Sequence, residues 1–229
     1  MRRPLSRRPE AWRACRLSYS HFGEDLIICD LLSSLGRTRQ GIYVDVGTFH
    51  PYLHSNTYLL HMQGRQGLNI DASPRRMAEF QKHRPNDANI VAAIAAQVGE
   101  MDFLEFPTAG TSRLAPIGAA TSRNSAGESP LSVTRVKTLP IRNLIDQHAP
   151  QDTPIDLLSI DVEGLDLDVL QSWNWNRRPA LIAVEGNSHQ ERQRLRDYVI
   201  AKGYREIACC VVTLIFIAIE FDPAESRQA

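Results

Sequence analysis

Four short apolar runs in this chain close on an acid, and that pattern restricts what the chain can fold into more than any other feature. Ile42 to Val46 carries Asp45 just before Gly47. Gly67 to Asp71 ends on Asp71, Ile155 to Ile160 runs into Asp161, and Ala180 to Glu185 ends on Glu185. Between these runs lie stretches whose apolar residues recur at helical spacing. Short continuous apolar runs alternating with helices are the mark of a parallel sheet covered on both faces. In such a sheet the strand ends share one edge, and ligands bind outside the carboxyl ends. A single acid there is accounted for as the cap of the next helix. Four acids along one edge point instead to a cofactor cleft.

The full reading predicts helices over 24–35, 54–63, 74–82, 141–148, 165–173 and 189–202. It predicts strands over 42–46, 67–71, 90–94, 101–106, 132–139, 155–160 and 180–185, and two more within 204–219 that turn near Thr213. Residues 107–131 are rich in Ser, Thr, Gly, Ala and Pro. So long a stretch inside one domain is expected to be an irregular, lid-like insertion. The expected organisation is a basic, poorly ordered leader over 1–16, one domain over 17–222, and a tail over 223–229.

Charge and cysteine usage exclude several classes. Lys and Arg number 26 and Asp and Glu number 26, which disfavours a general nucleic-acid binder. Six arginines crowd residues 1–16 beside the single acid Glu10. No apolar segment follows them, so they are not read as an export signal. The longest apolar run, Ala208 to Ile219, is too short to span a bilayer. Cys15, Cys29, Cys209 and Cys210 form no paired framework, and a cytoplasmic setting is expected.

The loop after the first strand separates one cofactor from another. Dinucleotide folds need GxGxxG there, and P-loops need GxxxxGK[ST]. This chain has Gly47-Thr48-Phe49-His50-Pro51, with one glycine. An acid two residues before that glycine and a second acid, Asp71, closing the next strand suit a ligand with a ribose and an amino acid but no phosphate. S-adenosylmethionine is such a ligand, with Asp71 accepting from the ribose hydroxyls and Gly47 letting the loop pass close to the methionyl part.

The ordered set Tyr19-Ser20-His21-Phe22-Gly23-Glu24-Asp25, Tyr43 to Pro51, His54-Ser55-Asn56-Thr57, Gly67 to Ala72 and Ile155 to Gly164 resembles the FkbM family of methyltransferases, over roughly residues 19–220. The resemblance implies a class I Rossmann-like fold: a three-layer α/β sandwich on a mainly parallel seven-stranded sheet with a C-terminal antiparallel strand. It also implies S-adenosylmethionine as donor and methylation of a hydroxyl on a saccharide or secondary metabolite. Asp45, Gly47, Thr48, Asp71, Ala72 and Asn56 carry over as cofactor-binding positions. His21 departs from the family's usual Gln, and the loop Phe49-His50-Pro51 matches one branch only. Two other readings stand beside this one: a binding protein that keeps the fold without turnover, and another Rossmann-like nucleotide-sugar enzyme.

Methyl transfer to oxygen requires the acceptor hydroxyl to lose its proton, so a positioned base or a metal assists. Asp161, Glu163 and His50 are the catalytic candidates. Asp161, Glu185 and Asn187 could together hold a divalent cation through oxygens. The plainer alternatives are that Glu163-Gly164 only shapes a turn, that His50 bonds to backbone, and that Glu24 and Asp25 only begin a helix. The acceptor is expected to be a small molecule or glycan, contacted through Thr111, Ser112 and Arg113. The oligomeric state and the role of the Arg-rich N-terminus are not readable from the sequence.

Overall fold

The computed structural model describes residues 15–37, 41–108, 110–119 and 122–222; most of the basic leader and the tail lie outside them. Seven strands build the main sheet: β1 (Ile42–Val46), β2 (Gly67–Asp71), β3 (Ala88–Val91), β8 (Ile155–Ile160), β9 (Leu181–Glu185), β10 (Tyr204–Cys210) and β11 (Thr213–Ala218). Their order is β3-β2-β1-β8-β9-β11-β10. All neighbours pair in parallel except β11, which runs antiparallel to both β9 and β10. This is the class I methyltransferase sandwich that the resemblance implies.

Strand alternation divides the core between the two faces. Val44, Val46, Leu158 and Ile160 point to one side, where they pack with α4 (Ile141–His148), α5 (Asp166–Gln171) and α6 (His189–Ala201). Tyr43 and Leu157 point to the other side, against Ile28 and Leu32 of α1 (Glu24–Ser34) and Leu60 of α2 (Tyr58–Met62). Glu24 and Asp25 begin α1, as the plainer alternative has it, and also anchor distant chain. Asp25 accepts from Ser18 Oγ and Tyr19 N–H (2.6 and 2.7 Å), and Glu24 accepts from Thr213 Oγ1 (3.1 Å). Among the described residues no helix is long and apolar enough to cross a membrane.

A second sheet, of four strands, was not expected. Its order is β4-β7-β5-β6, with β4 at Ala93–Ile94, β5 at Gly99–Glu105, β6 at Arg113–Ala115 and β7 at Ser132–Leu139. The single strand predicted over 90–94 is therefore two: β3 pairs with β2 in the main sheet, and β4 pairs with β7 in the small one. The segment 107–131 is not wholly irregular either. Arg113 to Ala115 pairs antiparallel with β5, and Ala115 is buried with Leu104 and Phe106. Polar composition and a length of three residues hid a strand whose partner, β5, lies only 9 to 13 residues back.

One other boundary differs for a local reason. The helix predicted over 54–63 reduces to Tyr58–Met62. His54 is left-handed (φ 52°), and Ser55 Oγ accepts from the backbone N–H of Thr57 and Tyr58, a local turn that delays the helix start. The β10–β11 turn falls at Val211-Val212, directly before Thr213 and near it as expected, with Val211 left-handed (φ 57°).

Candidate functional site

The cleft opens where β1, β2 and β8 end. Asp161 N–H donates to the Val46 carbonyl and Gly47 N–H to the Ile70 carbonyl, so the three strand ends are held together by backbone hydrogen bonds of 2.9 and 2.8 Å. Gly47 is left-handed (φ 83°), and a Cβ there would lie 1.7 Å from the Asp161 carbonyl oxygen. In this structure the close approach that demands a glycine is made by the neighbouring strand. Gly47, Asp71, Ala72, Asp161 and Glu163 border a cleft of about 530 Å³, closed on the far side by Phe103 and Arg113 of the small sheet.

Asp71 stands at the β2 end and is almost fully buried. One carboxylate oxygen accepts from Ser73 N–H (2.7 Å), and the other pairs with Arg76 (3.1 Å). Burial raises its pKa, opposed mainly by the Arg76 charge. Arg76, in the first turn of α3 (Pro74–His83), also lies 5.5 Å from the Phe49 ring centroid. Sequence reasoning missed Arg76; its only signal is that it follows Asp71 by five residues, onto the cleft side of the next helix.

Asp45 is turned away from open solvent. Its Oδ2 accepts from Thr57 Oγ1 at 2.6 Å, and burial raises its pKa. Behind it lies Arg84, fully buried. Arg84 donates from Nε to the Pro51 carbonyl (2.8 Å), and from its terminal nitrogens to Ser55 Oγ and Thr57 Oγ1 (2.9 Å each). One guanidinium thus fixes the loop from Pro51 to Thr57 against the acid of the first strand. No local pattern marks Arg84 as special.

A smaller recess of about 310 Å³ adjoins the cleft and is bordered by Asp45, Thr48, Asn56, Ser159 and Asp161. Thr48 Oγ1 is buried there with no hydrogen-bond partner among the described residues. Asn56 Nδ2 donates to Ser159 Oγ (3.3 Å). His50 also borders this recess, but its Nδ1 accepts from Tyr52 and Leu53 N–H (3.3 Å each). Burial lowers its pKa, so at neutral pH the ring is uncharged and its proton sits on Nε2. In that tautomer the free nitrogen is a donor and has no lone pair with which to act as a base.

Four carboxylates converge where β8 and β9 end. Glu163 is left-handed (φ 53°), and Gly164 follows it at φ 99°. Asp166 holds this turn by accepting from Val162 and Gly164 N–H, both at 3.1 Å. Water reaches Asp161 at the cleft floor, yet protein encloses it closely. That enclosure, followed by the charges of Glu185, Asp166 and Glu163 and a hydrogen bond with Glu185, holds Asp161 well above the usual carboxylate range. Burial and the Glu185 charge push Glu163 up to about 7, against Arg113 and Arg76. Burial raises Asp166 to about 6, although the backbone donors oppose it.

The cation set expected from Asp161, Glu185 and Asn187 is not assembled as such. Asn187 Nδ2 is turned to Glu163 (3.4 Å). Among the described residues no group of three or more His, Cys, Asp or Glu side chains is disposed to hold a metal ion.

A family model described as "Methyltransferase FkbM domain" matches residues 45–206, most of the chain and all of the strands just described from Asp45 to β10. No curated protein sequence matches. Among solved structures, the O-methyltransferase of Bacillus cereus in complex with SAH aligns at 13% identity and a TM-score of 0.45, over 93% of this chain and 86% of that one. A proposed RNA methyltransferase of Pyrococcus horikoshii aligns at 9% identity and a TM-score of 0.39, over 85% of this chain and 81% of that one.

Proposed function

We propose, from the premise that this chain belongs to the FkbM methyltransferase family, that it transfers the methyl group of S-adenosylmethionine to a hydroxyl oxygen of a saccharide or secondary metabolite. One arrangement carries the reading: the acid of the second strand, Asp71, and the carboxylates Asp161 and Glu163 border the same cleft. The residues present suit the cofactor. Asp71 is an acceptor for ribose hydroxyls at the strand end where such ligands bind. Thr48 Oγ1, in the adjoining recess, is a buried polar atom with no hydrogen-bond partner among the described residues, and such atoms call for a ligand or water.

S-adenosylmethionine supplies an electrophilic methyl on a sulfonium. The chain's own residues supply the rest. Glu163, with a pKa near 7, is matched to taking the acceptor hydroxyl's proton at neutral pH. Glu163 serves as the base, and Asp161, raised above its ordinary value by its surroundings and by the charges of Glu185, Asp166 and Glu163, lies beside it at the cleft floor. Ser112 and Arg113, from the inserted segment, close the cleft on the acceptor side.

The test is calorimetry with S-adenosylmethionine, followed by transfer of labelled methyl to a panel of saccharides. Asp71→Ala should weaken S-adenosylmethionine binding by about 1.5–3 kcal/mol, the scale of a lost hydrogen bond to a charged group. Unchanged affinity would remove Asp71 from the ribose site.

A further inference from the structure

We infer that the acceptor carries an anionic group, a carboxylate or a phosphate, and that Arg113 recognises it. This inference rests on the hydroxyl-methylation reading above and adds the charge class of the substrate. Most arginines around the cleft already have an acid: Arg76 holds Asp71, and Arg75 lies 3.5 Å from Glu105. Arg113 has none. Among the described residues its guanidinium forms no ion pair, and it donates only to the Arg123 carbonyl (3.0 Å). Its Cζ also lies over the Phe106 ring, 5.1 Å from the centroid. A guanidinium stacked on an aromatic ring and bonded at one nitrogen keeps its other N–H donors aimed outward in a fixed fork. That fork matches carboxylate and phosphate oxygens in a way a neutral hydroxyl does not.

Its place in the fold is that of a substrate contact. Arg113 begins β6, and the small sheet brings it to the cleft that Glu163 also borders. Its charge acts on Glu163, so the two side chains face a common space. A second chamber, of about 680 Å³, adjoins this cleft and shares Phe49, Arg76 and Ser112 with it. Its charged walls are Arg75 and Arg76 against the single acid Glu79. Arg75 and Arg76 are offset by Glu105 and Asp71, so among the described residues Arg113 is left to meet an anionic acceptor in this cleft. An anion there would be attracted, and its reacting hydroxyl would be left toward the carboxylates.

The experiment measures binding directly. The full chain, with S-adenosylhomocysteine present, is titrated with glucuronate, glucose 6-phosphate and glucose, alongside Arg113→Gln and Arg113→Lys. At least one anionic sugar should bind about tenfold or more tightly than glucose. That advantage should disappear in Arg113→Gln, be partly kept in Arg113→Lys, and shrink as salt is raised. Glucose binding as tightly as both anions, no measurable binding of either anion, or an anion preference that survives Arg113→Gln would each overturn the inference. Affinity for S-adenosylhomocysteine reports that each variant is folded; its loss in Arg113→Gln would reassign Arg113 to the cofactor and equally overturn the inference. If the anions bind through Arg113 but no labelled methyl reaches them, the methylation reading fails and the anion site stands.

Discussion

Glu163→Gln should slow methyl transfer by about 10²–10⁴-fold, the usual worth of a positioned base, while leaving S-adenosylmethionine affinity within a few-fold. Glutamine keeps the shape and the contact with Asn187 but cannot accept a proton. The wild-type rate should also fall as pH drops through about 7, because Glu163 is raised to about that value and works only when ionised. In the variant that limb of the profile should be gone. Asp161→Asn should cost less, since asparagine keeps the size and polarity of the side chain and leaves Glu163 in place as the base. A Glu163→Gln enzyme with near-wild-type turnover, or equal losses from the two changes, would remove Glu163 as the base.

The same substitution has a stability consequence of opposite sign. The folded protein binds the Glu163 proton more tightly than the unfolded chain does, since its pKa rises from 4.5 to about 7. Stability is therefore lost as pH climbs from about 4.5 to about 7. Glu163→Gln removes that loss. Allowing for the partial solvent access of this side chain, it should stabilise the protein by about 1–2 kcal/mol at pH 8 and change little at pH 4. Urea unfolding at the two pH values measures the difference, and equal midpoint shifts would contradict the assigned cause.

Gly47→Ala should be the most damaging change at the site, costing about 4 kcal/mol or more. Two effects act together. Alanine resists the positive φ of 83°, and its methyl would sit 1.7 Å from a backbone oxygen of Asp161. A carbonyl of a central strand cannot swing aside as a long side chain can, so the ends of β1 and β8 would have to separate. Loss of soluble folded protein, or a large fall in the urea midpoint, is expected. A shift below about 1 kcal/mol would mean that the strand ends yield far more easily than their hydrogen bonds imply.

How much could be read beforehand depended on the range of the interaction. The helix from Pro74 to His83 was legible because its signals are local: Ser73 accepts from Arg76 N–H, and Pro74 sits at the first helical position. So was α6, where Ser188 and Glu191 form a capping box. Asp71 and Asp161 were legible as strand-end acids, since an apolar run that stops on a carboxylate fixes where the strand leaves the core. Arg84 was not. It lies at the end of α3, and its partners at Pro51, Ser55 and Thr57 are 27 to 33 residues away. The small sheet was hidden for the same reason. Its strand β7 pairs with β5 and β4 across 27 to 45 residues.

The sequence by itself determined the succession of strands and helices, the strand-end acids, and through ordered motifs the family, because each follows from periodicity or from residues close along the chain. Tertiary structure alone decided how the electrostatic surroundings of two neighbouring acids differ. Asp161 and Glu163 are two residues apart and equivalent in composition. Only the folded arrangement places Glu185 in hydrogen-bonding contact with Asp161 and sets Arg113 and Arg76 against Glu163. The electrostatic work of charging a carboxylate depends on how much water and which charges surround it, and those neighbours come from strands β6 and β9 and helix α3, which the chain brings together only by folding.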